Sequence, residues 1–73
     1  MSGPLDTDAA LAAFRIWRIG QTFRETGAIP PFPTRNHVSA IAANKSYPDT
    51  LRYRAFELYK EMTDRLIKLD LAA

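Results

Sequence analysis

The sequence predicts an all-α fold: two long helices packed as a hairpin around a proline-rich linker and one short middle helix. Three observations point there. Leu51, Ala55, Leu58, Met62, Leu66 and Leu69 recur three or four residues apart, the rhythm of a helix buried along one face. Ala9, Ala12, Ile16, Ile19 and Phe23 draw a similar arc in the first third, with Ala13 and Trp17 on its flank. Between the two, Ala28-Ile29-Pro30-Pro31-Phe32-Pro33 carries three prolines, which remove backbone donors and favour extended conformations. No strand-like alternation and no internal repeat competes with this reading.

Taken in order, residues 1–5 are expected to be a flexible N-terminus. The first helix is expected to start near Asp6 or Thr7, either of which can cap exposed N–H groups. Asp8 then suits the positive end of its dipole. Gly27 can take the left-handed conformation that ends a helix, so the helix stops near Thr26. Gly20 lies within the apolar arc, where a glycine costs up to about 1 kcal/mol relative to alanine; close approach of another backbone would justify it. Residues 28–33 form the connector. Phe32 either plugs the core from this segment or belongs to a proline-rich recognition strip. Thr34 caps a short helix from Arg35 to Ala43, ending near Asn44. Ser46 or Asp49 caps the last helix, with Pro48 tolerated in its first turn. Glu61 with Arg65, and Asp64 with Lys68, are spaced four apart with the acid first, as on a self-neutralised solvated face.

Seventy-three residues make a single helical domain near the lower size limit for folding without a staple. There is no cysteine, so disulfides and thiolate metal sites are excluded. The stabilising element must be a packed core, a second subunit or a bound target. No apolar run is long enough to span a membrane, and the first residues do not form a signal peptide, so a cytoplasmic protein is expected. Charge is distributed unevenly. Residues 15–54 hold seven cations (Arg15, Arg18, Arg24, Arg35, Lys45, Arg52, Arg54) against Glu25 and Asp49, a balance of +5. Both ends are slightly acidic. A basic middle suits an acidic protein surface or a phosphate backbone.

Chemistry is poorly provided for. His37 is the only histidine and has no carboxylate nearby in sequence, so a solvated side chain at a helix start is expected. Ser39 and Thr50 lack the setting of a nucleophile, and Gly3, Gly20 and Gly27 cannot cradle a phosphate. No enzyme activity, cofactor or metal is expected.

Two surfaces exceed what a core requires. Leu11 and Phe14 point away from the Ile16–Phe23 arc and fall among Arg15 and Arg18, the composition of an interface hot spot unless the middle helix covers Phe14. On the last helix, Tyr53, Phe56, Lys60 and Ile67 form a second stripe beside the leucines, with Arg52 next to it. That stripe is either sandwiched inside the domain or paired with something outside, including a second copy.

The stretch Ser46-Tyr47-Pro48-Asp49-Thr50-Leu51-Arg52-Tyr53 resembles the start of the recognition helix in MerR-type helix-turn-helix regulators. That likeness implies a DNA-binding alternative in which Lys45, Thr50, Arg52, Tyr53 and Arg54 meet phosphates or base edges. Asn44, Lys45 and Ser46 depart from that family's turn. In length, absence of cysteine, basic middle and helical-hairpin layout, the whole chain resembles the small host RNA polymerase inhibitors of lytic phages of Xanthomonas. This resemblance implies binding to the β′ and β subunits in the host cytoplasm, displacement of the promoter-recognition factor and altered termination. Leu11, Phe14, Arg15 and Arg18 are the candidate contacts on one face, and Arg52, Tyr53 and Phe56 on the other. A purely structural homo-oligomer is the third alternative.

Overall fold

The computed structural model describes residues 4–72, with side chains over residues 7–71, and every element in it is helical. Helix α1 spans Pro4–Thr26, α2 spans Phe32–Ala43 and α3 spans Asp49–Ala72. The core takes Ala12, Ile16 and Phe23 from α1, Val38 and Ile41 from α2, and Leu51, Ala55, Leu58 and Met62 from α3. Helix α3 is the common partner, packing more extensively against α2 than against α1.

Helix α1 begins earlier than expected. Pro4 supplies a preset φ and has no N–H to leave unpaired, so the helix starts there, and Asp6 and Thr7, the expected caps, lie inside it. Residues 1–3 and the side chain of Asp6 lie outside the described residues. At the other end Gly27 adopts φ 70° and donates its N–H to Phe23 O at 2.7 Å, the expected left-handed stop. Thr26 reinforces it: its hydroxyl donates to Thr22 O (2.8 Å) and accepts from Ala28 N (3.1 Å).

Helix α2 absorbs part of the expected connector. Pro31 is its N-cap, and the Pro31 carbonyl accepts from Thr34 N and Arg35 N. Phe32 and Pro33 therefore form its first turn, where a proline has no helical hydrogen bond to lose. Thr34 does not cap it. Phe32 does not plug the core either: it stands 65% exposed, beneath the Arg35 guanidinium at 5.8 Å from its ring. Ile29 packs against the core from the connector instead. Arg35 also donates to Pro30 O at 2.7 Å, so this one side chain clasps the segment between α1 and α2.

Asn44 closes α2, and its side-chain oxygen accepts from Ser46 N at 2.9 Å, which turns the chain toward α3. Pro48 O accepts from Arg52 N, so Pro48 occupies the cap position and Asp49 is the first helical residue, beside the positive end of the dipole. Ser46 is not the cap.

The apolar stripe of α3 outlasts its partners. Leu51, Ala55, Leu58 and Met62 are buried as expected, but Leu66 is 42% exposed and Leu69 is exposed as well. Helical periodicity continues beyond Met62, whereas nothing from α1 or α2 seals the surface there. The molecule is correspondingly long, 50 × 21 × 19 Å.

Candidate functional site

Exposed aromatic side chains occur on all three helices, and on α1 two of them, Phe14 and Trp17, stand together. Phe14 is 52% exposed and Leu11 lies exposed one turn before it, so α2 does not cover Phe14. Trp17, expected on the flank of the core, is 59% exposed and stacks on Phe14, with ring centroids 6.0 Å apart and planes 30° from parallel. The cause is helical spacing: residues three apart are neighbours on a helix surface, and the large indole at the edge of the apolar arc meets the ring there. The Arg18 guanidinium lies 5.9 Å from the Phe14 centroid, within cation–π reach. Arg15 and Arg18 are exposed, and among the described residues neither joins an ion pair. The four α1 candidates thus form a basic-rimmed aromatic ridge, to which the structure adds Trp17.

Grooves flank the ridge. One, of about 470 Å³ between α1 and α2, is lined by Phe14, Arg15, Arg18, Pro33, Thr34 and His37, with no carboxylate among its lining residues. Another, of about 620 Å³ between α1 and α3, runs from Trp17 past Gly20 and Arg24 to Thr50, Tyr53 and Arg54. Gly20 belongs here for a reason different from the one expected. A Cβ at this position would lie 3.6 Å from Leu58 Cδ1 and 3.2 Å from Arg24 Nη1, so side chains approach it, and not another backbone.

The α3 candidates divide. Tyr53 is exposed and lines the same groove as Trp17, so the structure brings it toward the α1 face. Arg52 turns toward α2: its Nε donates to Ala42 O at 3.1 Å, satisfying a carbonyl that the end of α2 leaves open, while Nη1 lies 3.8 Å from Asp49. Phe56 is half-exposed and lines neither groove, with Lys60 Nζ 5.5 Å from its ring. Lys45 is exposed in the turn between α2 and α3. Of the DNA-contact candidates, Thr50, Tyr53 and Arg54 therefore face the α1–α3 groove, and Arg52 is engaged with Ala42.

The expected pairing of Glu61 with Arg65 is replaced. Glu61 takes Arg24 of α1, with Nη2–Oε2 at 3.0 Å and Nε–Oε1 at 3.4 Å, a two-point clasp across the helices. Arg65 lies instead against Gly27. Asp64 and Lys68 are not within ion-pair distance of each other, and the remaining pair among the described residues is Lys60 with Glu57 at 3.9 Å.

Among the described residues, no cluster of three or more His, Asp or Glu side chains could hold a metal ion, and no helix is long and apolar enough to cross a membrane. No family model, no curated protein and no solved structure matches this chain.

Proposed function

We propose that this chain is a non-enzymatic protein-binding module that regulates transcription by occupying a surface of an RNA polymerase subunit and displacing another factor. One observation carries the binding role: the stacked Phe14–Trp17 pair stays in solvent, in a domain too small to waste large apolar side chains. Aromatic anchors that enter a partner's pocket dominate interface energetics, and the surrounding arginines speed encounter with an acidic surface and select for it. The polymerase target comes from the resemblance to phage-encoded inhibitors, and the basic rim of the ridge suits it. Host cytoplasm is the corresponding location. Displacement needs only that two footprints overlap.

The test is capture of purified bacterial RNA polymerase on the immobilised chain. Phe14→Ala should weaken capture while helical content and thermal midpoint stay nearly constant. A large fall in the midpoint would make Phe14 a packing residue, and failure to capture polymerase would remove the assigned target. Titration of duplex DNA at low and high salt examines the runner-up. Tight binding that collapses with salt would favour the helix-turn-helix reading, because each neutralised phosphate releases counterions. The engagement of Arg52 with Ala42 O leaves that reading fewer free cations than the sequence suggests.

A further inference from the structure

The groove between α1 and α2 is set apart by its charge. Both helices pack on α3 but barely touch each other, and an opening of about 470 Å³ remains between them. Phe14, Ile19 and Pro33 give it an apolar lining, and Arg15, Arg18 and His37 line it beside them. Between Asp8 and Glu25 the sequence carries no acid, and from Thr26 to Pro48 it again carries none. Arg15, Arg18 and His37 are exposed, and none of them joins an ion pair among the described residues. The α1–α3 groove differs, because Glu57 lies in it and Arg24 is engaged with Glu61. We infer that the α1–α2 groove seats a short amphipathic helix of the partner protein, apolar side chains on Phe14, Ile19 and Pro33 and carboxylates toward Arg15, Arg18 and His37.

Sign and conformation choose this occupant. The two arginines on the α1 wall face no acid across the groove, and the His37 ring on the α2 wall offers an N–H donor in either protonation state. A carboxylate is therefore attracted, and a lysine or arginine repelled. Both walls are helices, whose backbone N–H and C=O groups are committed to their own turns. An extended strand between them would leave its own groups unpaired, whereas a helix brings its hydrogen bonds with it. The lining runs from Phe14 to Ile19 on one side and from Pro33 to His37 on the other, which matches about two turns of a guest helix. A phosphate backbone shares the sign but has no apolar side chain to place on Phe14, Ile19 and Pro33. Phe14, Arg15 and Arg18 belong to ridge and groove alike, so the guest helix depends on the ridge being a binding surface, though not on polymerase being the partner.

The probe is a labelled peptide of about 15 residues, with leucines three and four apart on one face, glutamates on both flanks and alanines elsewhere. Fluorescence anisotropy should show it binding the full chain, and exchange of its glutamates for lysines should abolish binding. Exchange of its leucines for alanines should weaken binding at least about tenfold, as loss of buried anchors does. Amide shifts on titration should fall on residues 14–19 and 33–37. Arg15→Glu and His37→Glu should each weaken binding about fivefold or more, because each sets a negative charge against the carboxylates. Lys68→Glu makes the same change in net charge as Arg15→Glu at the far end of α3, and should leave the affinity unaltered. Glutamate and lysine peptides that bind equally, or an Arg15→Glu variant that binds no worse than Lys68→Glu, overturn the acidic guest. Duplex DNA that shifts these amides while the glutamate peptide does not would give the groove to a phosphate backbone and overturn it too. Polymerase capture without peptide binding overturns the guest helix and leaves the ridge standing. Peptide binding without polymerase capture supports the groove and removes only the assigned target.

Discussion

The ridge on α1 and the overhang of α3 expose apolar side chains to a similar degree, yet differ in the charges around them. The ridge is rimmed by Arg15 and Arg18 with no carboxylate among the residues lining its groove, whereas the overhang balances Asp64 and Asp70 against Arg65 and Lys68. Two copies of the ridge would repel each other, whereas the overhang carries no net charge. Burial of apolar surface would drive binding at either region alike, because it is non-directional, and the polar rim would then decide which partner is admitted. The difference teaches that an exposed apolar patch says that something binds, while its rim says what.

The largest expected effect lies at the border between core and overhang. Met62 is fully buried, so Met62→Ala should cost about 2–5 kcal/mol in denaturant unfolding. In a domain whose whole stability is on the order of 4–11 kcal/mol, that approaches unfolding. Leu66→Ala, one turn later, should cost much less than Met62→Ala, because Leu66 is 42% exposed and removing its side chain leaves no enclosed cavity. Equal losses at the two positions would mean that the core extends to the end of α3, and the overhang would disappear as a separate surface.

This border was only half legible in the sequence. Periodicity identified the stripe through Met62, since the side chains on one face of a helix share a fate as long as a neighbour runs alongside. It placed Leu66 and Leu69 in the core because a pattern within one helix carries no information about where the other helices end. Trp17 was missed for a related reason: it lies at the margin of the arc, where a small rotation decides between core and solvent. Its three-residue spacing from Phe14 was the signal that could have placed the two rings together. The basic rim at Arg15 and Arg18 was readable, because charged side chains next to an exposed ring must also be exposed. Arg52 was not, since its acceptor on Ala42 is created only when α2 ends against the first turn of α3.

On the ridge, Phe14→Ala and Trp17→Ala should each reduce polymerase capture by about 1–2 kcal/mol of binding free energy. Because the rings stack at 6.0 Å, the double variant should lose less than the sum of the two, with a coupling of about 0.5–1.5 kcal/mol. Additive losses would mean that the rings contact separate sites and that the ridge is not one anchor. Raising the salt concentration should weaken capture through this arginine-rimmed ridge. Capture indifferent to salt would mean that Arg15 and Arg18 do not take part in it.

The smallest expected effect concerns the clasp that holds the two regions in one body. Arg24 and Glu61 meet at two points, but their side chains remain 59% and 44% exposed, so solvent screens the pair. Glu61→Gln should therefore cost less than about 1 kcal/mol. Gly20 offers a finer probe of the same contact. Alanine there gains up to about 1 kcal/mol of helix propensity, but its methyl crowds Arg24 Nη1 at 3.2 Å while the clasp holds that group in place. With Glu61 changed to Gln the guanidinium can swing aside, so Gly20→Ala should be more favourable in that background than in the wild type. If Gly20→Ala is equally tolerated in both backgrounds, Arg24 already moves freely, and packing of Leu58 against Gly20, without the ion pair, joins α1 to α3.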